Sequence, residues 1–362
     1  MSAFNVRLVD SQGPADDRLL VVSGDSFEQG RQHGERVPDL IRQNLEAVKA
    51  QLVGRDQALL DRAYERAAAY VEHNHPDTWA EYRGMAEGSG LPLDDILTLN
   101  LKVGNVLDWL RIECSQFAKV VRAPDGGKRT LLAKTRDQKG GAVEHVVLVR
   151  QYPDGLESLE VHKAGIISYP GSVMTSRGVA AGTSGVWSQR TPFDINRLDS
   201  ADVGTDAHAL LIKAHGLNDL MQIQSTLPRL TGINNVVAEP GRVGALEMTA
   251  SDAEFFDTGA ATAVRTNHYK TPRFQEISPQ REEYESTFHR EERITALLAK
   301  AANPKDFWAI AQDHVGAPQE SVCRHRDDAG LGTFTTYFSV FELETRSAWI
   351  GFGQPCELAF PG

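Results

Sequence analysis

The amino-acid sequence predicts an α+β fold in which mainly antiparallel sheets are covered by helices. The first third of the chain has the spacing of apolar residues that is typical of helices. The segment that begins at Cys114 consists of short runs with β-branched residues, separated by turn signals. Beyond it, helices and strands come in blocks, which favours antiparallel sheets over a strictly alternating parallel sheet.

The predicted helices follow from apolar periodicity. Residues 27–52 carry apolar side chains at helical spacing, with Pro38 as the one interruption. The pattern continues along the chain and returns twice after the strand-rich segment. The further predicted helices cover residues 56–73, 76–110, 205–230, 278–300 and 304–315.

The predicted strands are short segments bounded by turn residues. Between Cys114 and about residue 190, the turn sequences at 124–127 and 153–155 separate candidate strands. Further strands are expected over 234–265, and the chain ends in a strand pair with a loop near Thr345 and Arg346. These blocks give the order helices, strands, helix, strands, helices, strands.

Composition excludes several classes of function. The 362 residues allow two domains or one large layered domain, and 41% of them are hydrophobic. The net charge of −11, without a basic stripe, argues against a nucleic-acid or membrane partner. We find no secretory signal, no run of 18 apolar residues and only three cysteines, so we expect a cytoplasmic protein. A glycine-rich cofactor fingerprint is missing, so no cofactor is predicted.

Cys114 lies at the border between the helical third and the first strand. A thiol attacks as its thiolate and needs a base within reach. Cleavage between Glu113 and Cys114 would supply that base, because a free α-amino group titrates near pH ~7.7–8.0. One residue would then be nucleophile and base at once. Cys114 taken alone is more typical of a buried structural cysteine at a helix–strand junction.

Six segments make the sequence similar to the acyl-CoA:6-aminopenicillanate acyltransferase family, which is also called peptidase family C45. This family belongs to the N-terminal-nucleophile hydrolases and resembles the bile-salt hydrolases and penicillin-V acylases. The order and spacing of the segments match the family over nearly the whole chain. They are GDSFEQGRQHGE at 24–35, ECSQF at 113–117, AKTRDQ at 133–138, NNVVAEPGRVGALEMT at 234–249, RTNHY at 265–269 and SVCRH at 321–325.

The resemblance implies a four-layer α-β-β-α sandwich with two stacked, mainly antiparallel sheets. Cleavage before Cys114 would give a helical small subunit, residues 1–113, and a catalytic subunit, residues 114–362. The two would stay together as an αβ heterodimer, with further oligomerisation left open. The glycines of GRQHG at 30–34 indicate close helix packing, and we expect His33 to be structural.

The resemblance also implies roles for individual residues. Asp137 would hold the new amino terminus, and Asn267 would donate to an oxyanion. Arg324 would line the site near the nucleophile, where it could hold Asp137 or act on the thiol. The supporting positions are Lys134, which is arginine in the bile-salt hydrolases, Arg136, and Ser184, where relatives often carry asparagine.

A metal site is not predicted. Cys323 and His325 form a C-x-H pair beside Arg324, but a zinc site needs a second pair of ligands, and the sequence does not indicate one.

The sequence thus predicts a self-processing cysteine amidohydrolase or acyltransferase. It would act on a small-molecule linear amide or acyl thioester through an acyl-cysteine. Two alternatives remain open at this point. One is an unprocessed hydrolase that uses Cys114 with His268 or His325, and the other is a non-catalytic binding protein on the same fold.

Overall fold

Two stacked β-sheets form the centre of the protein. The computed structural model describes residues 2–11, 13–101, 112–139, 143–167, 171–186, 212–225, 232–257 and 261–362. The first sheet has the strand order β1-β14-β13-β4-β3-β12, and the second has β11-β10-β9-β8-β7-β6-β5-β2. The strands are β1 Asn5–Asp10, β2 Leu19–Ser23, β3 Ile112–Arg122, β4 Lys128–Lys139, β5 His145–Gln151, β6 Glu157–Lys163, β7 Ser172–Thr175, β8 Ala180–Val186, β9 Gly232–Glu239, β10 Arg242–Met248, β11 Ala253–Asp257, β12 Thr262–Arg265, β13 Thr333–Glu342 and β14 Ser347–Phe352.

Helices cover the outer faces of both sheets. The described helices are α1 Ser26–Arg36, α2 Pro38–Leu52, α3 Gln57–Asn74, α4 Pro76–Ser89, α5 Leu93–Asn100, α6 Leu217–Ser225, α7 Glu285–Leu298 and α8 Pro304–Ala311. Pro38 stands at the first position of α2, where the missing N–H costs nothing, so it divides the predicted helix 27–52 in two. Residues 102–110, 205–211 and 226–230 of the predicted helices lie outside the described ranges.

Three apolar interfaces hold four layers together. One core lies between the two sheets and includes Leu132 of the first and Val161 of the second. Helices α2 to α5 pack on the outer face of the second sheet, against residues such as Val146. Helices α7 and α8 cover the outer face of the first sheet, where Phe117 meets Trp308 in one cluster. The predicted α-β-β-α sandwich with mainly antiparallel sheets is confirmed.

The first 113 residues also contribute strands, which the sequence analysis did not predict. Strand β1 pairs in parallel with β14 at the edge of the first sheet. Strand β2 pairs in parallel with β5 at the edge of the second sheet. The N-terminal segment is therefore part of both sheets as well as of the helical layer.

Helices α1 and α4 cross with their backbones in contact. Gly30 and Gly34 of α1 face Gly84 and Gly88 of α4, and a Cβ atom at any of these positions would collide with backbone of the other helix. The close packing expected for GRQHG is therefore present. His33, on the same helix, is buried and accepts a hydrogen bond from the Gly165 N–H at 3.2 Å. Within the described ranges, every helix is too short or too polar to cross a lipid bilayer.

Candidate active site

The pairing of β3 with β4 sorts the candidate residues onto two faces of one sheet. Cys114 is opposite Arg136, and Glu113 is opposite Asp137. Because side chains alternate along a strand, Cys114 and Arg136 face the second sheet, whereas Glu113 and Asp137 face α7 and α8. Gln116, two residues beyond Cys114, confirms this direction, since its amide donates to the Asn234 carbonyl of the second sheet at 2.7 Å.

The Cys114 thiol is buried among cations. The Arg136 Nη1 lies 3.9 Å from the sulfur. Burial lowers the pKa of Lys134 to about 8, while the charge of Cys114 and a hydrogen bond with it act in the opposite direction. Burial and the Arg136 charge lower the pKa of the half-buried Lys163 to about 7. Within the described ranges, no carboxylate forms an ion pair with these three cations, so this face has a positive charge that suits a bound anion.

Asn267 holds the main-chain nitrogen of Cys114. Arg265 of β12 pairs with Gln116, so two residues further along Asn267 comes level with Cys114. The Cys114 N–H donates to Asn267 Oδ1 at 3.2 Å. Arg290 also donates to this Oδ1, at 2.9 Å, which fixes the orientation of the amide because a guanidinium is only a donor. The Asn267 Nδ2 donates to the Gly185 carbonyl at 2.9 Å and has a second N–H to offer.

Arg290 is a central residue of the site that the sequence analysis missed. This fully buried side chain of α7 donates from Nη1 to the Cys114 carbonyl and to Ser115 Oγ, both at 2.8 Å. Its guanidinium also lies 3.8 Å from Asp137 and 3.7 Å from Glu113. Arg290 and Asn267 together bind both main-chain polar groups of the candidate nucleophile.

Asp137 lies on the α7 side of the sheet. Its Oδ1 accepts a hydrogen bond from Thr335 at 2.8 Å. Burial raises the pKa of Asp137 to about 6, although Arg290 and the Thr335 hydrogen bond act to lower it. The carboxylate is level with Glu113, one residue before Cys114, and on the opposite face from the thiol.

Arg324 binds Glu113, which corrects the expected partner. Its Nη1 forms a buried ion pair with Glu113 Oε2. The sequence analysis had offered Asp137 or the thiol as the target, but the guanidinium beside the sulfur is that of Arg136. Strand alternation explains the difference, because Glu113 and not Cys114 points towards the loop that carries Arg324.

Ser184 has a supporting position between the sheets. Its Oγ accepts from the Gln116 amide at 2.8 Å and donates to the Thr266 carbonyl at 2.7 Å. A hydroxyl has a single proton, and here that proton is already bound to a main-chain carbonyl. Ser184 therefore positions Gln116 and the Thr266 backbone beside Asn267.

The two histidines of the alternative hydrolase have other partners. His268 Nδ1 lies 3.0 Å from Thr287 Oγ1, and its ring stacks on Phe288 at 4.0 Å. Burial lowers the pKa of His268 to about 3. His325 Nε2 lies 2.9 Å from His314 Nε2. Neither ring makes a hydrogen bond to Cys114 within the described part of the chain, so the geometry does not favour a Cys–His pair.

Comparison with known proteins gives a family match and matches among solved structures. Residues 123–357 match the profile described as "Acyl-coenzyme A:6-aminopenicillanic acid acyl-transferase". This match includes Asp137, Asn267 and Arg324 but begins after Cys114. Among solved structures, penicillin V acylase from Agrobacterium tumefaciens matches with 13% identity and a TM-score of 0.42, covering 66% of this chain and 83% of that chain. No curated protein matches.

Proposed function

Because the chain belongs to the acyl-coenzyme A:6-aminopenicillanic acid acyl-transferase family, we propose that it is a self-processing enzyme with Cys114 as its N-terminal nucleophile. It would transfer or hydrolyse the acyl group of a small linear amide or acyl thioester. The family match supports an acyltransferase or amidohydrolase. The proposal adds that the chain cuts itself before Cys114 and that Cys114 is the nucleophile.

One observation carries the proposal: every polar group of Cys114 has a dedicated partner. Its N–H binds Asn267 at 3.2 Å, its carbonyl binds Arg290 at 2.8 Å, and Arg136 lies 3.9 Å from its sulfur. Any buried residue needs partners for its main-chain N–H and carbonyl, but a structural cysteine in an apolar core needs no arginine beside its sulfur. A nucleophile does need these surroundings, because its attack angle and its charge must both be fixed.

Self-cleavage would begin with the thiol proton moving to Lys134, whose lowered pKa makes it a suitable base. The thiolate then attacks the Glu113 carbonyl carbon. The C–N bond to Cys114 breaks as that nitrogen takes a proton, and a thioester links Glu113 to the sulfur. Water hydrolyses the thioester, which leaves a carboxylate on Glu113 and a free α-amine on Cys114.

The fixed position of Glu113 supports this step. Arg324 and Arg290 bind its side chain on one face of the sheet, while the thiol lies on the other. The scissile carbonyl between them is then held still during the attack, and such positioning supplies much of the rate enhancement of intramolecular reactions.

The mature enzyme would use the free amine of Cys114 as the base. Asn267 Oδ1 accepts from the Cys114 nitrogen in the uncut chain and would hold the amine after cleavage, with Asp137 adding negative charge nearby. The thiolate attacks the acyl carbon and the leaving group departs with a proton from the amine. The second N–H of Asn267 would bind the oxyanion, a contact whose loss costs about 2.7–4 kcal/mol in comparable enzymes. Water or an amine then takes the acyl group from the sulfur.

The test is the intact mass of purified wild type, Cys114→Ser and Cys114→Ala. We expect wild type to give fragments 1–113 and 114–362, with Cys114 as a new N-terminus in Edman sequencing. Cys114→Ser keeps a weaker nucleophile and should cut slowly, while Cys114→Ala should remain one chain. Cleavage at the same bond in Cys114→Ala would contradict the proposal.

A second measurement tests the reaction itself. Cut enzyme should release acid from a panel of small amides, form new amides when an amine is added, and lose both activities on labelling of Cys114 with iodoacetamide. An uncut but active wild type would favour the Cys–His hydrolase instead. An inactive protein whose Cys114 resists iodoacetamide would favour a binding protein.

A further inference from the structure

A second group of chemically reactive side chains lies outside the candidate active site. The ligand atoms of His314, Cys323, His325 and Cys356 all lie within 4.8 Å of one another. The sequence predicted no metal because Cys323 and His325 lacked a second pair. Folding supplies that pair from the loop that follows α8 and from the short helical turn Pro355–Glu357 near the C-terminus.

The distances within the group match a tetrahedral metal site. Zinc bonds of ~2.0–2.1 Å to nitrogen and ~2.3 Å to sulfur give tetrahedral edges of about 3.4 Å between nitrogens and about 3.5 Å between nitrogen and sulfur. His325 Nε2 lies 3.5 Å from Cys323 Sγ and 3.5 Å from Cys356 Sγ. The two histidine nitrogens are 2.9 Å apart and would separate by about half an ångström on a bound ion.

We propose that these four residues form a structural Cys2His2 site for a zinc-class divalent cation. Two thiolates and two neutral imidazoles balance the charge of a divalent ion, and this mixed set of sulfur and nitrogen ligands selects zinc over calcium or magnesium. Four protein ligands leave no open position for substrate, so the ion stabilises structure and does not take part in chemistry.

The surroundings hold the ligands in place and leave an entry path. The Gln312 amide donates to the Pro355 and Leu358 carbonyls at 2.9 and 3.0 Å, which joins the segment of His314 to that of Cys356. The Cys323 N–H donates to the Asp313 carbonyl at 3.0 Å, which joins the remaining segment. Cys323 is buried and His314 is exposed, so an ion can enter from the His314 side.

The site has a direct structural connection to the cleavage bond. Arg324 stands between Cys323 and His325, and its guanidinium binds Glu113. The Arg324 N–H also donates to Thr335 at 3.0 Å, and Thr335 in turn donates to Asp137. A metal that fixes residues 323 and 325 therefore fixes the arginine that holds the residue before Cys114. This connection rests on the proposed function, whereas the site itself does not.

The experiment is elemental analysis of untagged protein, purified without chelators from zinc-supplemented cells. We expect about one zinc per chain, and after exchange with Co²⁺ the visible bands of a tetrahedral thiolate complex. Cys356→Ser and His314→Gln alter partly or fully exposed ligands, and each should reduce bound zinc at least tenfold. His73→Gln, an exposed histidine on α3, is the matched control and should keep full occupancy.

Three results would overturn the site, provided that circular dichroism shows the variants to be folded. They are zinc no higher than in a metal-free control protein, unchanged zinc in both ligand variants, or a Cys323–Cys356 disulfide in metal-free native protein.

The connection to Glu113 has its own readout, because zinc removal should slow self-cleavage several-fold. Equal cleavage rates with and without zinc would overturn that connection and leave the site standing. Cys114→Ala should bind zinc fully, which separates a failure of the nucleophile from a failure of the site.

Discussion

Asp137 is a fully buried carboxylate, and its ionisation should be visible in the stability of the protein. Burial raises the pKa of Asp137 to about 6 from the usual 3.8. The folded chain therefore holds this proton more tightly than the unfolded chain does. Between pH ~4 and ~6 this residue makes the folded state less stable as the pH rises, by an amount on the order of 3 kcal/mol at most.

Asp137→Asn removes this titration. We expect the free energy of unfolding of the variant, minus that of its parent, to increase as the pH rises from 4 to 7. This change with pH does not depend on which of the two proteins is more stable at pH 4. Urea unfolding in a Cys114→Ala background measures this on a single uncut chain. Asp125→Asn is the contrasting control, because the Gly127 N–H lowers the pKa of that exposed aspartate, so its effect has the opposite sign, lies mainly below pH ~4 and leaves the profile from pH 4 to 7 nearly flat. Parallel pH profiles for Asp137→Asn and its parent would contradict the prediction.

Arg290 shows what sequence reasoning at single residues missed. Three arginines lie in the predicted helix 278–300, and Arg281 and Arg293 form exposed or half-exposed ion pairs. Arg290 alone is fully buried, four residues after Ser286 and four before Ile294 on the inward face of α7. A charge on the apolar face of a helix was the available signal. Its partners could not be inferred, because Cys114 and Asn267 become its neighbours only in the folded chain.

The crossing of α1 and α4 is the element most sensitive to a single methyl group. A Cβ at Gly84 would collide with the Phe27 carbonyl of α1. Alanine favours an isolated helix over glycine by about 1 kcal/mol, but overpacking in a closed contact costs about 1–3 kcal/mol and shifts backbone here.

Because the added Cβ would collide with backbone, we expect the upper end of this cost, so Gly84→Ala should reduce the free energy of unfolding by about 2 kcal/mol despite its better helix propensity. Urea unfolding in the Cys114→Ala background is again the measurement. Glu87→Ala alters an exposed residue of the same helix and should change stability by less than about 0.5 kcal/mol. A Gly84→Ala protein at least as stable as its parent would show that the helices can separate at no cost.

The long elements were predictable from periodicity, whereas the short edge strands were not. Helices such as α3 have caps and apolar spacing within their own sequence, since Asp56 accepts from the Leu59 N–H. Strand β1 has six residues and pairs with Ser347–Phe352, at the other end of the chain. The alternation of apolar and polar residues around Val6 and Leu8 indicates a strand only weakly, because no partner strand lies nearby in the sequence. The second pair of metal ligands was missed for the same reason, because long-range pairing leaves no local pattern.

At the scale of the whole molecule, the N-terminal 113 residues belong to every part of the sandwich except the layer of α7 and α8. They supply β1 to one sheet and β2 to the other. They also supply the helices whose apolar faces pack on Val146 and Leu148 of the second sheet. Cutting one peptide bond before Cys114 removes none of these contacts. The two fragments should therefore remain one folded particle, which is the αβ heterodimer expected from the sequence.

We expect cleaved wild type to elute from size exclusion as one species containing both fragments, and to separate only in denaturant. Strand β1 allows a sharper test of this association. The Asn5 N–H donates to the Arg346 carbonyl, so the N–H of Arg7, two residues on, also faces β14. Arg7→Pro removes that N–H, while Arg7→Ala keeps it and removes only the side chain over Trp349. Arg7→Pro should lower the urea concentration at which the fragments separate, and Arg7→Ala should do so less. Fragments of the wild type that separate in buffer would show instead that these edge strands are held only by the intact chain.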